Sequence, residues 1–321
     1  MSVYTTLTLA ELGPFLARHD IGQPLSLEGI SAGVVNTNYR LTTSRGIYIL
    51  TLIESGERDY LPWMLALLAH YRERGVPCPL PIADNRRQML HTLKNRPAIL
   101  VSFLDGELPN PLTPGHAWQA GRLLARLHHG AQSFDYPREN PLGPVAWRSI
   151  LAQLTPMLQE DVTTLELLQK TLIESETVLF CHKTLPSGIG HADLFPDNTL
   201  FDGEVLTGAI DFHYACTLPW IYDLAISLCA WGFDEEGAPR PKMMSELWRG
   251  YAEARPIDPD ELQIVPVAMR AAALRFSLTR LRDFHFPRQG LQVTRKNPAA
   301  FLRLLHWLWE NPSIIKQLGH P

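Results

Sequence analysis

The chain has 321 residues, 45% of them hydrophobic and 19% charged, with a formal net charge of −4. That balance excludes a broad basic surface of the kind that holds nucleic acid. No apolar run approaches the roughly 20 residues of a membrane-spanning helix, and the length suits one large domain or two lobes.

Residues 8–17 read as an amphipathic helix, with Thr8 as cap and Leu9, Leu12, Phe15 and Leu16 on one face. Three strand-like runs follow at 25–30, 38–43 and 47–53, punctuated by Gly29, Gly33 and Gly46. A helix over 61–74 stops at Gly75, and runs at 88–92 and 98–103 complete a small sheet. Helical spacing then dominates: 116–129, 145–158, 165–180, 223–229, 243–254, 261–282 and 298–309. A β-rich first third before a helix-rich remainder predicts an α+β chain of two lobes, 1–104 and 105–321, with ligands in a cleft between them. The four cysteines, Cys78, Cys181, Cys216 and Cys229, lack metal-ligand spacing and read as reduced core thiols. With no leader-like N-terminus, that predicts a cytoplasmic protein.

The most informative stretch is His191-Ala192-Asp193-Leu194-Phe195-Pro196-Asp197-Asn198, followed by Ala209-Ile210-Asp211-Phe212. Residues 189–191 read as entry into a loop. Residues 199–201 and 205–210 read as the two strands of a hairpin turning at Asp202-Gly203. Such a hairpin brings Asn198, before one strand, beside Asp211, after the other. Phosphoryl transfer needs a carboxylate to orient and deprotonate the attacking hydroxyl, and hard oxygen ligands to hold a divalent cation. Asp193 suits the first role, Asn198 and Asp211 the second. Asp and Asn also abound in ordinary turns, but a hairpin matched at both ends favours the catalytic reading. A zinc hydrolase would need more histidines than His182 and His213 nearby.

Residues 185–231 resemble the catalytic core of the aminoglycoside phosphotransferase and choline kinase superfamily. The loop 191–198, Ile210-Asp211-Phe212 and Ile221-Tyr222-Asp223-Leu224 carry the likeness. More narrowly, the loop together with Asp211-Phe212 and Ala215-Cys216-Thr217 resembles the homoserine kinases of that superfamily. The likeness extends to 36–41, 48–54 and 75–79. It implies a protein-kinase-like fold, with a small β-rich N-terminal lobe for ATP and a larger, mostly helical lobe for catalysis and the acceptor. It also implies Mg2+, with ATP-dependent phosphorylation of L-homoserine to O-phospho-L-homoserine in threonine biosynthesis by a monomer or homodimer. In that scheme His191 and Asp223 support the catalytic loop. A turn with Gly29, Ser31, Gly33 and Asn36 covers the phosphates, and a hinge strand containing Ser102 and Leu104 holds the adenine.

One departure stands out: the third-strand lysine that many kinases direct at the phosphates is replaced by Thr51, and the first lysine of the chain is Lys94. Either Arg40, backbone amides and Mg2+ carry the phosphate load, or the chain is a silent nucleotide-binding protein. The acceptor is the other open choice. Choline, ethanolamine and aminoglycosides call for acid-lined or aromatic pockets, yet eleven acidic and thirteen basic residues follow Asp211. Methylthioribose is a further alternative. An amino acid needs a cation and a carboxylate, and the predicted helix carrying Arg275, Arg280, Arg282 and Asp283 offers both. Arg280 or Arg282 is the expected partner of the substrate carboxylate, with Asp283 for its ammonium. Arg280 and Asp283, three residues apart, could instead form a plain surface ion pair.

Overall fold

The computed structural model describes residues 5–30, 36–54, 58–287, 297–313 and 318. The chain divides into two compact units, one running through Asp105 and the other beginning at Gly106.

In the first unit, α1 (Leu9–Leu16) starts on a capping box: the Thr8 side chain accepts from the Glu11 N–H, and the Glu11 carboxylate accepts from the Thr8 N–H. Five antiparallel strands follow: β1 (Pro24–Ile30), β2 (Thr37–Thr43), β3 (Gly46–Leu52), β4 (Leu90–Leu93) and β5 (Arg96–Ser102). Their spatial order is β1-β2-β3-β5-β4, and α2 (Leu61–Glu73) connects β3 to β4. Along β2 every second residue is buried, which turns Tyr39 and Leu41 toward one face. That face, with Leu50, Leu52 and Leu100, packs on Leu12, Phe15 and Leu16 of α1.

The second unit contains α3 (Pro114–Gly130), α4 (Pro144–Leu154), α5 (Val162–Glu174), α6 (Trp220–Trp231), α7 (Pro241–Ala254), α8 (Pro259–His285) and α9 (Ala299–Glu310). Two small sheets sit among these helices. One pairs β6 (Ser187–Gly190) with β9 (Cys216–Pro219), and the other pairs β7 (Thr199–Asp202) with β8 (Val205–Ala209). α6 is apolar on nearly every face and buried along nearly its whole length, as such a helix must be.

Three expectations differ from the structure. The helix predicted over 165–180 is α5 followed by a π-helical turn, Ser175–Phe180. The hydroxyls of Thr171, Ser175 and Thr177 donate to carbonyls one turn back, which loosens the regular ladder there. Residues 189–190 belong to strand β6, not to a loop, because a distant segment pairs with them. Cys181 is exposed, whereas the other three cysteines are buried; burial pushes the Cys78 and Cys216 thiols up to about 12.

Candidate active site

The loop between β6 and β7 is built around one buried carboxylate. Asp223, in the first turn of α6, is wholly buried. Its Oδ2 accepts from the His191 N–H and its Oδ1 from the Ala192 N–H, both at 2.7 Å. Gly190 permits this approach, since a Cβ there would overlap Asp223 Oδ2. On its other side Oδ2 lies 2.9 Å from His128 Nε2, and His128 Nδ1 lies 2.8 Å from the Tyr251 hydroxyl. Burial pushes the Asp223 carboxyl up, but the His128 hydrogen bond and the surrounding N–H groups outweigh it and hold the group below the usual range. Burial holds His128 below its usual range despite Asp223. The network therefore assigns a neutral imidazole that donates from Nε2 to Asp223 and accepts from Tyr251.

His191 ties the loop to the outgoing strand. Its buried ring packs on Phe212, with centroids 4.6 Å apart, and its Nε2 donates to the Ile210 carbonyl at 3.1 Å. Burial pushes its titration down, opposed by Asp223 and Asp211. The indole of Trp231 adds a third support by donating to the Leu194 carbonyl at 3.0 Å.

The hairpin then brings the three predicted groups together. Thr199 pairs with Ala209, and the Ile210 N–H donates to the Asn198 carbonyl at 3.0 Å, so Asp211 emerges beside Asn198. Asn198 Nδ2 donates to the Asp193 carbonyl at 2.8 Å and reaches Asp193 Oδ2 at 3.3 Å. Asp193 is half-buried and Asp211 exposed. Asp211 has left-handed backbone, φ 63°, and so does Ala192, φ 61°. Strain of this kind costs on the order of 1–3 kcal/mol and persists only where neighbours hold it.

Of the predicted acceptor residues, Arg280 meets the aromatic cluster that Phe195 of the loop joins. Its guanidinium stacks on Phe301, 4.3 Å from the centroid. Burial lowers its titration, against the fields of Asp193 and Asp197. Phe195 of the loop packs edge-on to Phe276, and Phe276 in turn meets Phe301, both pairs with centroids 4.9 Å apart. Arg282 and Asp283 pair with each other instead, Nη2 to Oδ1 at 2.9 Å, and no described contact joins either to the loop. The ion pair considered between Arg280 and Asp283 is therefore made by the adjacent Arg282.

In the first unit the predicted residues are spread over the sheet. Gly29 pairs with Tyr39 across β1 and β2, while Ser31 and Gly33 lie outside the described residues. Asn36 Oδ1 accepts from the Glu54 N–H at 3.3 Å. Arg40 lies 3.9 Å from Glu28, its register partner, and over the Phe103 ring. Thr51 donates its hydroxyl to Asn38 Oδ1 at 2.7 Å. Ser102 Oγ accepts from the Leu80 N–H at 2.9 Å, and Leu104 lies half-buried just past β5. A buried carboxylate stands just past the third strand: Glu54, held by Arg96 of β5 at 3.3 Å and by the Thr37 hydroxyl at 2.6 Å.

Residues 26–257 match the profile of the phosphotransferase enzyme family. The chain belongs to that family. It is 42% identical over 308 residues to a homoserine kinase of Methylobacterium radiotolerans, covering 95% of each chain. To a homoserine kinase of Rhodopseudomonas palustris it is 40% identical over 321 residues, covering 99% of this chain and 98% of the relative. Its fold is protein-kinase-like. It superposes on spectinomycin phosphotransferase, APH(9)-Ia, solved with ADP and spectinomycin, with a TM-score of 0.66 at 15% identity, covering 98% of this chain and 100% of the other.

The donor set of this phosphotransferase fits a hard divalent cation. Asn198 donates its amide N–H to Asp193, which leaves Oδ1 as an oxygen acceptor, and Asp211 follows Ile210, whose N–H the Asn198 carbonyl binds. Among the described residues no cluster of three His, Cys, Asp or Glu could cage a metal. Few protein oxygens, completed by water and phosphate, are what a Mg2+-type site uses. Sequence reasoning passed over His128, Tyr251 and Arg275 as site residues. Arg275 did leave a signal: an arginine set in the apolar run Ala271-Ala272-Ala273-Leu274, where an unpaired charge is rarely tolerated.

Proposed function

We propose that this chain transfers the γ-phosphate of ATP to the side-chain hydroxyl of L-homoserine, yielding O-phospho-L-homoserine and ADP in cytoplasmic threonine biosynthesis. The observation that carries the reading is the convergence of Asp193, Asn198 and Asp211 on one loop and hairpin. Near-full-length identity of about 40% to homoserine kinases supports the acceptor. Asp193 would orient the hydroxyl and take its proton as oxygen bonds to phosphorus, while the β–γ bridging oxygen leaves with ADP. Asn198 and Asp211 would hold Mg2+, which supplies charge neutralisation along the phosphates when bound. The unit through Asp105 would serve the nucleotide, with Arg40 and backbone amides in place of the absent lysine, and Leu104 at the adenine edge.

Arg280 would take the substrate carboxylate. Its guanidinium is already partly desolvated, so an incoming anion regains more than it would from a fully hydrated cation. The phenyl rings of Phe195 and Phe276 would cover the short aliphatic stem.

The test is ADP release over a panel of L-homoserine, D-homoserine, choline, methylthioribose and an aminoglycoside. L-Homoserine should exceed every other acceptor in kcat/KM by about 100-fold, the selectivity of a site that pairs both charged ends of its substrate. Arg280→Met should raise the homoserine KM and leave the ATP KM unmoved. Preference for choline or an aminoglycoside overturns the acceptor, and equal effects on both KM values overturn the role of Arg280.

A further inference from the structure

We propose that Arg275 is the positioning residue of the catalytic loop: one guanidinium holds the Ala192 carbonyl and the Asp193 carboxylate together and so sets the direction in which Asp193 meets the acceptor. The inference rests on Asp193 being the base.

Arg275 lies in α8, and its side chain is only 2% exposed. Nη1 donates to the Ala192 carbonyl, and Nη2 lies 3.8 Å from Asp193 Oδ1. The rings of Phe276 and Tyr214 flank the guanidinium, at 4.7 and 5.3 Å. Nε makes no hydrogen bond of ordinary geometry among the described residues, although the buried Tyr222 hydroxyl also lies against the guanidinium.

Packing alone does not account for such a group. Burying a cation is costly, and leaving one of its N–H donors unpaired adds to the cost. An apolar side chain would fill the same space without either penalty. What the guanidinium uniquely supplies is a planar cation that donates to one residue's carbonyl and lies in ion-pair range of the next residue's carboxylate.

The position of those acceptors is informative. Ala192 is the left-handed residue immediately before Asp193, and its N–H is bound by Asp223. Asp223 thus grips the amide side of residue 192 and Arg275 the carbonyl side. Between them they leave the strained residue little freedom to rotate, and its rotation would swing Asp193. Asn198 meets Asp193 through Oδ2 at 3.3 Å, and the Arg275 charge faces Oδ1 at 3.8 Å, so the two oxygens face different partners. Arg280 is not interchangeable with Arg275: it is half-buried over Phe301 and makes no described contact with Ala192.

The experiment compares Arg275→Met and Arg275→Lys with the wild type in kcat, both KM values and thermal midpoint. Arg275→Met should lower kcat about 100-fold, the scale of a misplacement of ~1 Å, with both KM values held within about threefold. Arg275→Lys keeps the charge without the fork and should recover about tenfold of that loss. A kcat within about threefold of wild type in either variant, or a loss carried by KM, overturns the proposal. If Arg275→Met does not fold, Arg275→Lys decides by the same criterion. A wild-type enzyme inert toward homoserine but active on another alcohol would sink the acceptor assignment instead, and the kcat comparison is then made with that alcohol.

Discussion

The loop and hairpin around Asp193 and the sheet around Thr51 both carry residues that the sequence pointed to, yet they use polar groups in opposite ways. In the loop, support and solvent access are divided between residues. Asp223 and His191 are buried and committed to backbone groups, while Asp193 and Asp211 reach solvent. In the sheet the polar side chains are bound within their own unit: Thr51 is bound to Asn38 and Ser102 holds Leu80, while Arg40 makes only a loose, exposed pair with Glu28. The difference separates residues that keep a shape from residues offered to a ligand. A polar side chain spent inside its own unit brings little new energy to a substrate, because an existing hydrogen bond must first be given up.

The sharpest way to break this contrast is Asp193→Asn. If Asp193 is the solvent-facing base of an otherwise rigid loop, kcat should fall by roughly 10²–10⁴ while nucleotide affinity measured by titration changes little. Near-wild-type turnover would make the loop as structural as the sheet.

The next effect concerns the support rather than the chemistry. Burial keeps His128 neutral in the folded enzyme, whereas in the unfolded chain it titrates near its ordinary value of about 6.5. Above that pH the contribution of His128 to stability is constant. Below it the unfolded chain binds the proton first, and stability falls by up to about 1.4 kcal/mol per pH unit until the lowered folded value is reached. His128→Gln removes this group, so urea denaturation between pH 7.5 and 5.5 should give a shallower loss than in the wild type. A steeper loss in the variant than in the wild type would mean that the imidazole is protonated against Asp223, and an unchanged slope that folding leaves its titration unshifted.

The smallest effect tests the sheet. Thr51→Val deletes the hydroxyl bound to Asn38 and should cost about 1 kcal/mol of stability with the ATP KM unmoved. A large rise in the ATP KM would place Thr51 at the nucleotide and erase the contrast.

Legibility in the sequence followed distance along the chain. The β7–β8 hairpin was readable because its turn is local: Gly203 takes φ 56°, which an Asp-Gly pair anticipates. The cap at Thr8 was readable for the same reason. The pairing of β6 with β9 was not, since Ser187–Gly190 is short, contains two glycines and has no periodicity until Cys216–Pro219 comes alongside. Nor could spacing on a helix settle which partner Asp283 takes. The neighbour Arg282 reaches it, and Arg280 turns to Phe301 because an aromatic face lies there.

The sequence by itself determined most of the elements, the α+β division and the three groups proposed for phosphoryl transfer. Those follow from turn chemistry, periodicity and a motif only a few residues long. The family likeness pointed to Asp223 of α6 as a support of the loop, and tertiary structure alone added a histidine from α3 and an arginine from α8, each far from residue 193 in the chain. Buried ions carry no periodic signature. Their roles exist only once apolar packing has removed water and forced each charge to find a partner.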